Sequence, residues 1–243
     1  MPSPRLETSA GKPHGIRVRL CGIMCAFQAM MAPALNIHRK LADAELQQML
    51  AGARILEKDS FGPKVYALNN GEILKIFRRK RMFSSTLLRP SSQRFYDNAV
   101  GLSALGIPTV TPLACYRLDD ARRTAVRYQP LLGDTLSDRL RHSPEQWRDI
   151  LPSLARFINQ LHARGVYFRS LHAGNIVITA NGEYGLIDVA DMRLRRKPLS
   201  KALIRRNREH FEKYARKEQL PLEPGALWTA CERGQAISLP AGL

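Results

Sequence analysis

The chain has 243 residues, enough for one domain or two tightly joined lobes around a sizeable core, and 44% of them are hydrophobic, which excludes a disordered chain. Its 38 Lys and Arg against 21 Asp and Glu give a formal charge of +17, so an anionic partner is expected: nucleic acid, acidic lipid headgroups or phosphorylated sugars. The four cysteines, Cys21, Cys25, Cys115 and Cys231, have neither zinc spacing nor the density of a disulfide framework, and are read as reduced thiols.

Residues 1–15 are rich in Pro, Gly and Ser, and residues 16–35 place basic residues before an apolar run ending in Ala32-Pro33-Ala34. That order is signal-like, but the run is short for a membrane span. Residues 1–45 are expected to be a partly disordered extension, as when translation starts upstream of Met30 or Met31, with a signal or anchor as the alternative. Three β-type segments follow, at 53–57, 64–68 and 72–77, the last two joined by Asn69-Asn70-Gly71, a tight-turn signal that predicts a hairpin. After the basic block Arg78-Arg79-Lys80-Arg81, residues 91–105 read as a helix ended by Gly106, and 110–117 and 124–128 as two further strands.

A long helix is expected from Ser143, with Pro144 at its first position and Gln146 placed for a capping box. Trp147, Ile150, Leu151, Leu154, Phe157, Ile158 and Leu161 recur at helical spacing and form one apolar face, up to Gly165. Short strands at 175–179 and 184–188 flank Ala180-Asn181-Gly182. The remainder is basic and helical, with eleven Lys/Arg against three acidic residues from Asp191 to Lys217. Such a run usually marks a solvated helix face.

The residues at the junctions of these elements carry the chemistry. Lys75 lies in EILKIF, and Phe168-Arg169-Ser170 begins a loop in which Asn175 stands five positions after Ser170 and thirteen before Asp188, in LIDVAD. From about Ala51 to Lys217 this order resembles the protein-kinase-like fold. KIFRRKRMFSS, RFYDNAVGLSALGIPTV and YFRSLHAGNIVIT with GLIDVADMR are similar to the bacterial lipopolysaccharide core sugar kinase-like proteins, including those labelled toluene-tolerance proteins. The resemblance implies an α+β bilobal fold with a small β-rich N-lobe (46–127) and a mostly helical C-lobe (128–243). It implies that Lys75 holds the phosphates of ATP, that Asn175 and Asp188 are the Mg²⁺ ligands, and that the Gln129 and Leu131 backbone meets adenine. Gly62, in EKDSFGPKV, stands where a loop covers the phosphates. Arg169, Ser170 and His172 stand in the catalytic loop. The implied reaction is ATP-dependent phosphotransfer to a heptose or Kdo hydroxyl of the lipopolysaccharide inner core, by a cytoplasmic protein peripheral on the inner membrane. The basic blocks would hold the anionic glycolipid or the anionic leaflet.

The sequence departs from that pattern in three places. Ser170 occupies the position of the catalytic carboxylate, and a serine hydroxyl is a far weaker base; general-base help is typically worth about 10²–10⁴-fold, so a slow kinase is permitted. His172 is the nearest substitute base. Only one glycine, Gly62, serves the phosphate loop, and Asp97 and Asn98 stand where a glutamate would be expected to reach Lys75. Asp191, near Asp188, is expected to face solvent rather than assist the metal. The alternative reading is a pseudokinase that binds nucleotide or a partner in envelope stress or solvent tolerance. A nucleic-acid-binding module is a third, for which interleaved aromatics and a binding motif are lacking.

Overall fold

Alternation along EILKIF decides the first half of the fold. In the computed structural model, which describes residues 38–79 and 89–238, a six-stranded sheet is built from β1 (His38–Leu41), β2 (Arg54–Asp59), β3 (Gly62–Ala67), β4 (Ile73–Arg78), β5 (Thr111–Leu118) and β6 (Arg123–Gln129), in the order β1-β5-β6-β4-β3-β2. Successive side chains of a strand point to opposite faces. Leu74 and Ile76 therefore enter a core cluster with Leu41, Leu46, Tyr116, Leu118 and Ala125, under helix α1 (Asp43–Leu50). Lys75 and Phe77 point to the other face, which packs on helix α2 (Ser91–Ala104) through Phe95. The expected hairpin forms between β3 and β4: Leu68 N donates to Glu72 O, and Gly71 N to Leu68 O.

The second half is mostly helical. A two-residue strand β7 (Asp134–Thr135) leads into α3 (Leu136–His142), then α4 (Trp147–Ala163), β8 (Val166–Phe168), β9 (Ile176–Ile178), β10 (Tyr184–Leu186), β11 (Met192–Leu194), α5 (Lys201–Lys217) and α6 (Pro224–Ser238). β10, β9 and β7 form one small sheet, and β11 and β8 a two-stranded one. The apolar face of α4 buries Leu154, Phe157, Ile158 and Leu161, and Asn159 Nδ2 donates to Cys231 O of α6. The chain is thus mixed α and β, sheet-rich toward the N-terminus and helical toward the C-terminus. One hydrophobic cluster includes both Val126 and Leu136, so the proposed boundary at 127/128 lies across a shared core.

Several expectations need correction. β1 and α1 straddle residue 45, and Leu41 and Leu46 are fully buried, so residues 38–45, assigned to the extension, belong to the packed fold. β1 pairs in parallel with β5, more than seventy residues away, a contact that leaves no local pattern. Ser143 makes no capping bond: a 3₁₀ turn at Pro144–Gln146 precedes α4, closed by Gln146 N to Ser143 O. β8 and β11 were not anticipated. The apolar run at 16–35 and the residues Lys80 and Arg81 lie outside the described residues. Among those described, no helix is long and apolar enough to cross a membrane. Cys115 and Cys231 are buried free thiols, and burial pushes both up to about 12, which leaves them unreactive.

Candidate active site

Lys75 is 9% exposed, and its ammonium lies 2.6 Å from Asp188 Oδ1. The strand places the lysine; two other constraints bring Asp188 to it. Thr109 Oγ1 donates to Leu186 O and Leu186 N to Pro108 O, tying β10 to the segment between α2 and β5. Ile187 N then donates to Asn175 O at 3.1 Å, which sets Asp188 beside the start of β9. Lys75, Asn175 and Asp188, separated by up to 113 positions, thus meet in one place. Asp188 has φ 53° and ψ 45°, the left-handed region, which Asp and Asn tolerate better than most residues. A residue held there off the common minima is a mark of functional sites.

The donor set suits a hard cation. Asn175 is buried, and its amide nitrogen donates to Ser170 O at 3.0 Å and faces His172 Nε2 at 3.1 Å, so the amide oxygen is the atom left for a ligand. The Asp188 side chain is 47% exposed, and its Oδ2 is not taken up by Lys75. One carboxylate and one amide oxygen, with phosphate and water completing the shell, fit Mg²⁺, which is seldom caged by protein alone. Among the described residues no group of three or more His, Cys, Asp or Glu could hold a metal.

Among the described residues the carboxylate paired with Lys75 is Asp188, and no glutamate reaches the lysine. Asp97 pairs with Arg89 and accepts from Gln93, while Asn98, one residue on, is buried and donates to Val189 O at 2.7 Å and Met192 O at 3.0 Å. α2 therefore grips the turn after Asp188 through an amide instead of gripping the lysine through a carboxylate. The role of Asn98 was missed because its acceptors are backbone atoms some ninety residues away.

The catalytic-loop residues separate. The Ser170 hydroxyl donates to Asp191 Oδ2, and Arg169 Nε lies 3.2 Å from the same oxygen. The Asp191 side chain is only 18% exposed, so the expectation that it faces solvent is wrong. The pairing of β8 with β11, Met192 opposite Phe168, turns residue 191 back onto the loop. Arg169 itself is largely exposed. His172 stacks on Tyr214 of α5, with ring centroids 3.8 Å apart and planes 9° apart. Burial, and then His210, push its pKa down to about 4. The ring is thus held between Tyr214 and the Asn175 amide. Gly174 belongs to the same packing: a Cβ there would lie 2.5 Å from Tyr214 Oη.

The remaining positions line the approach. Gly62 has φ 102°, open to glycine alone, in the turn of the β2–β3 hairpin, three residues before Val65, the cross-strand partner of Lys75. Arg78 braces that turn, donating to Asp59 Oδ1 at 3.1 Å and Pro63 O at 2.8 Å. Gln129 ends β6 and is exposed, and Leu131 packs beside Gly185 of β10, so both occupy the stretch joining the two halves. Tyr128 packs against Phe95 with centroids 5.0 Å apart and planes tilted by 40°; burial, then Asp188 and Glu57, push its phenol above the ordinary range. A separate hollow of about 510 Å³, lined by Pro144, Trp147, Leu220 and Pro221 among others, shares no residue with this site. Compared with known proteins, the sequence matches no protein-family model and no curated protein.

Proposed function

We propose that this protein is a small ATP- and Mg²⁺-dependent phosphotransferase of protein-kinase-like fold, acting on a sugar hydroxyl of an anionic glycolipid of the lipopolysaccharide inner-core type at the cytoplasmic face of the inner membrane. The observation that carries the reading is the meeting of Lys75, Asn175 and Asp188. In that reading Lys75 releases Asp188 to a cation and turns its charge onto the nucleotide phosphates, while the amide oxygen of Asn175 and the carboxylate of Asp188 hold the metal. Bound Mg²⁺ would neutralise charge on the transferring phosphoryl group. Asn98 and the Tyr214–His172 stack keep the two loops rigid, so that little reorganisation accompanies binding. The Gln129–Leu131 stretch offers its backbone to adenine. The glycolipid as acceptor rests on the family resemblance together with the +17 charge.

Incubation with γ-labelled ATP, Mg²⁺ and dephosphorylated core glycolipid tests this. Label should pass to the glycolipid, and Asp188→Ala should abolish the transfer. The second reading, a pseudokinase, is favoured by Ser170 and by the closed Lys75–Asp188 pair. It predicts thermal stabilisation by ATP with no transfer.

A further inference from the structure

Position 170 lacks a carboxylate, but the place that such a carboxylate would serve does not. We propose that Asp191 supplies it: this side chain positions the Ser170 hydroxyl and receives, through it, the proton of the acceptor alcohol. The proposal rests on the phosphotransfer reading above and concerns how that reaction loses its proton.

Two independent constraints hold the pair together. On one side, the Ser170 backbone is fixed by Asn175 Nδ2, which donates to Ser170 O at 3.0 Å, so the loop and the metal-ligand candidate move as one. On the other, the turn bearing Asp191 is fixed by Asn98, through Val189 O and Met192 O, and by the antiparallel register Met192 opposite Phe168. In that register residue 191 lies across from 169 and next to 170. The Ser170 hydroxyl has Asp191 Oδ2 as its acceptor, and its own lone pairs remain for an incoming alcohol proton. Asp191 Oδ1 is buried and, among the described residues, has no hydrogen-bond partner, so none of them consumes the second oxygen. A carboxylate buried for structural support alone is normally satisfied at both oxygens.

The charged groups around the pair are Arg169 of the loop, whose Nε touches Oδ2, and Arg94 of α2, which interacts with Asp191 and with Arg169, Arg89 and Arg193. Two guanidiniums, Arg169 and Arg94, beside one carboxylate favour an anionic acceptor near Ser170. His172 faces the same region but is neutral at pH 7. In a loose phosphoryl-transfer transition state the alcohol loses its proton late, so the receiving group must be ionised and well placed rather than strongly basic.

An oxygen lone pair of the alcohol forms the new bond to the γ-phosphorus, and the bond from that phosphorus to the β,γ-bridging oxygen breaks, its electron pair leaving with ADP. The alcohol proton moves to Ser170 Oγ as the Ser170 proton moves to Asp191 Oδ2. The products are the phosphorylated alcohol, ADP and a neutral Asp191, which returns its proton to water.

The test compares wild type, Ser170→Ala, Asp191→Asn and the transposed variant Ser170→Asp/Asp191→Ser, as full-length chains, in labelled transfer to dephosphorylated core glycolipid. Asp191→Asn should lower kcat by about 10²-fold or more, with KM for ATP changed by less than about threefold, and should remove the acidic limb of the kcat–pH profile. Ser170→Ala should lower kcat by about tenfold or more. The transposed variant should recover at least about tenfold of the loss, because it returns a carboxylate to the loop. If Asp191→Asn keeps kcat within about twofold, or if it lowers ATP affinity and melting temperature while the pH profile keeps its shape and the transposed variant recovers nothing, Asp191 is merely structural and the proposal is wrong. Absence of transfer by the wild type despite Mg·ATP binding would remove the phosphotransfer reading, and this proposal with it.

Discussion

Lys75 and Asp188 do not share their ion pair evenly. The lysine is buried and the aspartate half exposed, so removing one is not equivalent to removing the other. Asp188→Ala leaves an ammonium in the interior without a counter-charge and is expected to cost about 1–3 kcal/mol. Lys75→Met keeps the apolar stem and leaves a hydrated carboxylate, for an expected change within about 1 kcal/mol. Urea denaturation of the two variants measures the asymmetry; equal losses would mean that the pair is solvated on both sides. A second effect at this scale is acid sensitivity. Burial pushes the pKa of His162 down to about 4, with Asn207 opposing, against an ordinary value of 6.5. Between those values the unfolded chain binds the proton and the folded chain does not, so stability is intact above about pH 6.5 and falls as pH drops toward 4, by on the order of 3 kcal/mol for this one group. His162→Leu should flatten the urea midpoint across that window.

The contribution of α2 lies in one amide. Asn98→Ala would remove the buried side-chain donor to Met192 O and to Val189 O, which keeps only the Met192 N–H, on the turn that carries Asp188 and Asp191. A loss of about 1–3 kcal/mol is expected by chemical denaturation, together with weaker Mg·ATP stabilisation in a thermal shift; a loss of stability with full nucleotide stabilisation would separate α2 from the site. Elements with local signals were legible in the sequence. The β3–β4 hairpin was marked by its turn, α2 by the glycine and proline after it, and α4 by its apolar face. The intervals from Ser170 to Asn175 and on to Asp188 were visible in the sequence, and the structure sets Asp188 against Lys75 and Ile187 against Asn175. What escaped was non-local: β1 finds its partner in β5, and β11 in β8, through backbone bonds that leave no periodicity. The burial of Asp191 followed from that second pairing, and so did the error of assigning it to solvent. The stacking of His172 depends on Tyr214, forty-two residues away on a helix that read only as basic.

Across the molecule, the charge is less free than its total suggests. On α5, Arg205 pairs with Glu209, Arg208 with Glu212 and Glu232, and Arg216 with Glu212, so part of the 191–217 run is a salt-bridged solvated face. Arg193, Arg195 and Lys197 are exposed in the segment before it, near the loop that bears Ser170. If this segment and the arginines around Asp191 meet an anionic surface, binding to phosphatidylglycerol vesicles should weaken by about tenfold between 0.1 and 0.5 M salt, as the screening length shortens from about 10 Å to under 5 Å. Glutamine at 193, 195 and 197 should remove much of that dependence, and unchanged binding in the triple variant would move the contact elsewhere.

The central claim is that Lys75, Asn175 and Asp188 form one site for magnesium-loaded ATP. Isothermal titration of the full chain with Mg·ATP tests it most directly. Saturable binding at one site is predicted, weakened by about tenfold or more in both Lys75→Met and Asp188→Asn. No heat with the wild type, or unchanged affinity in both variants, would contradict it.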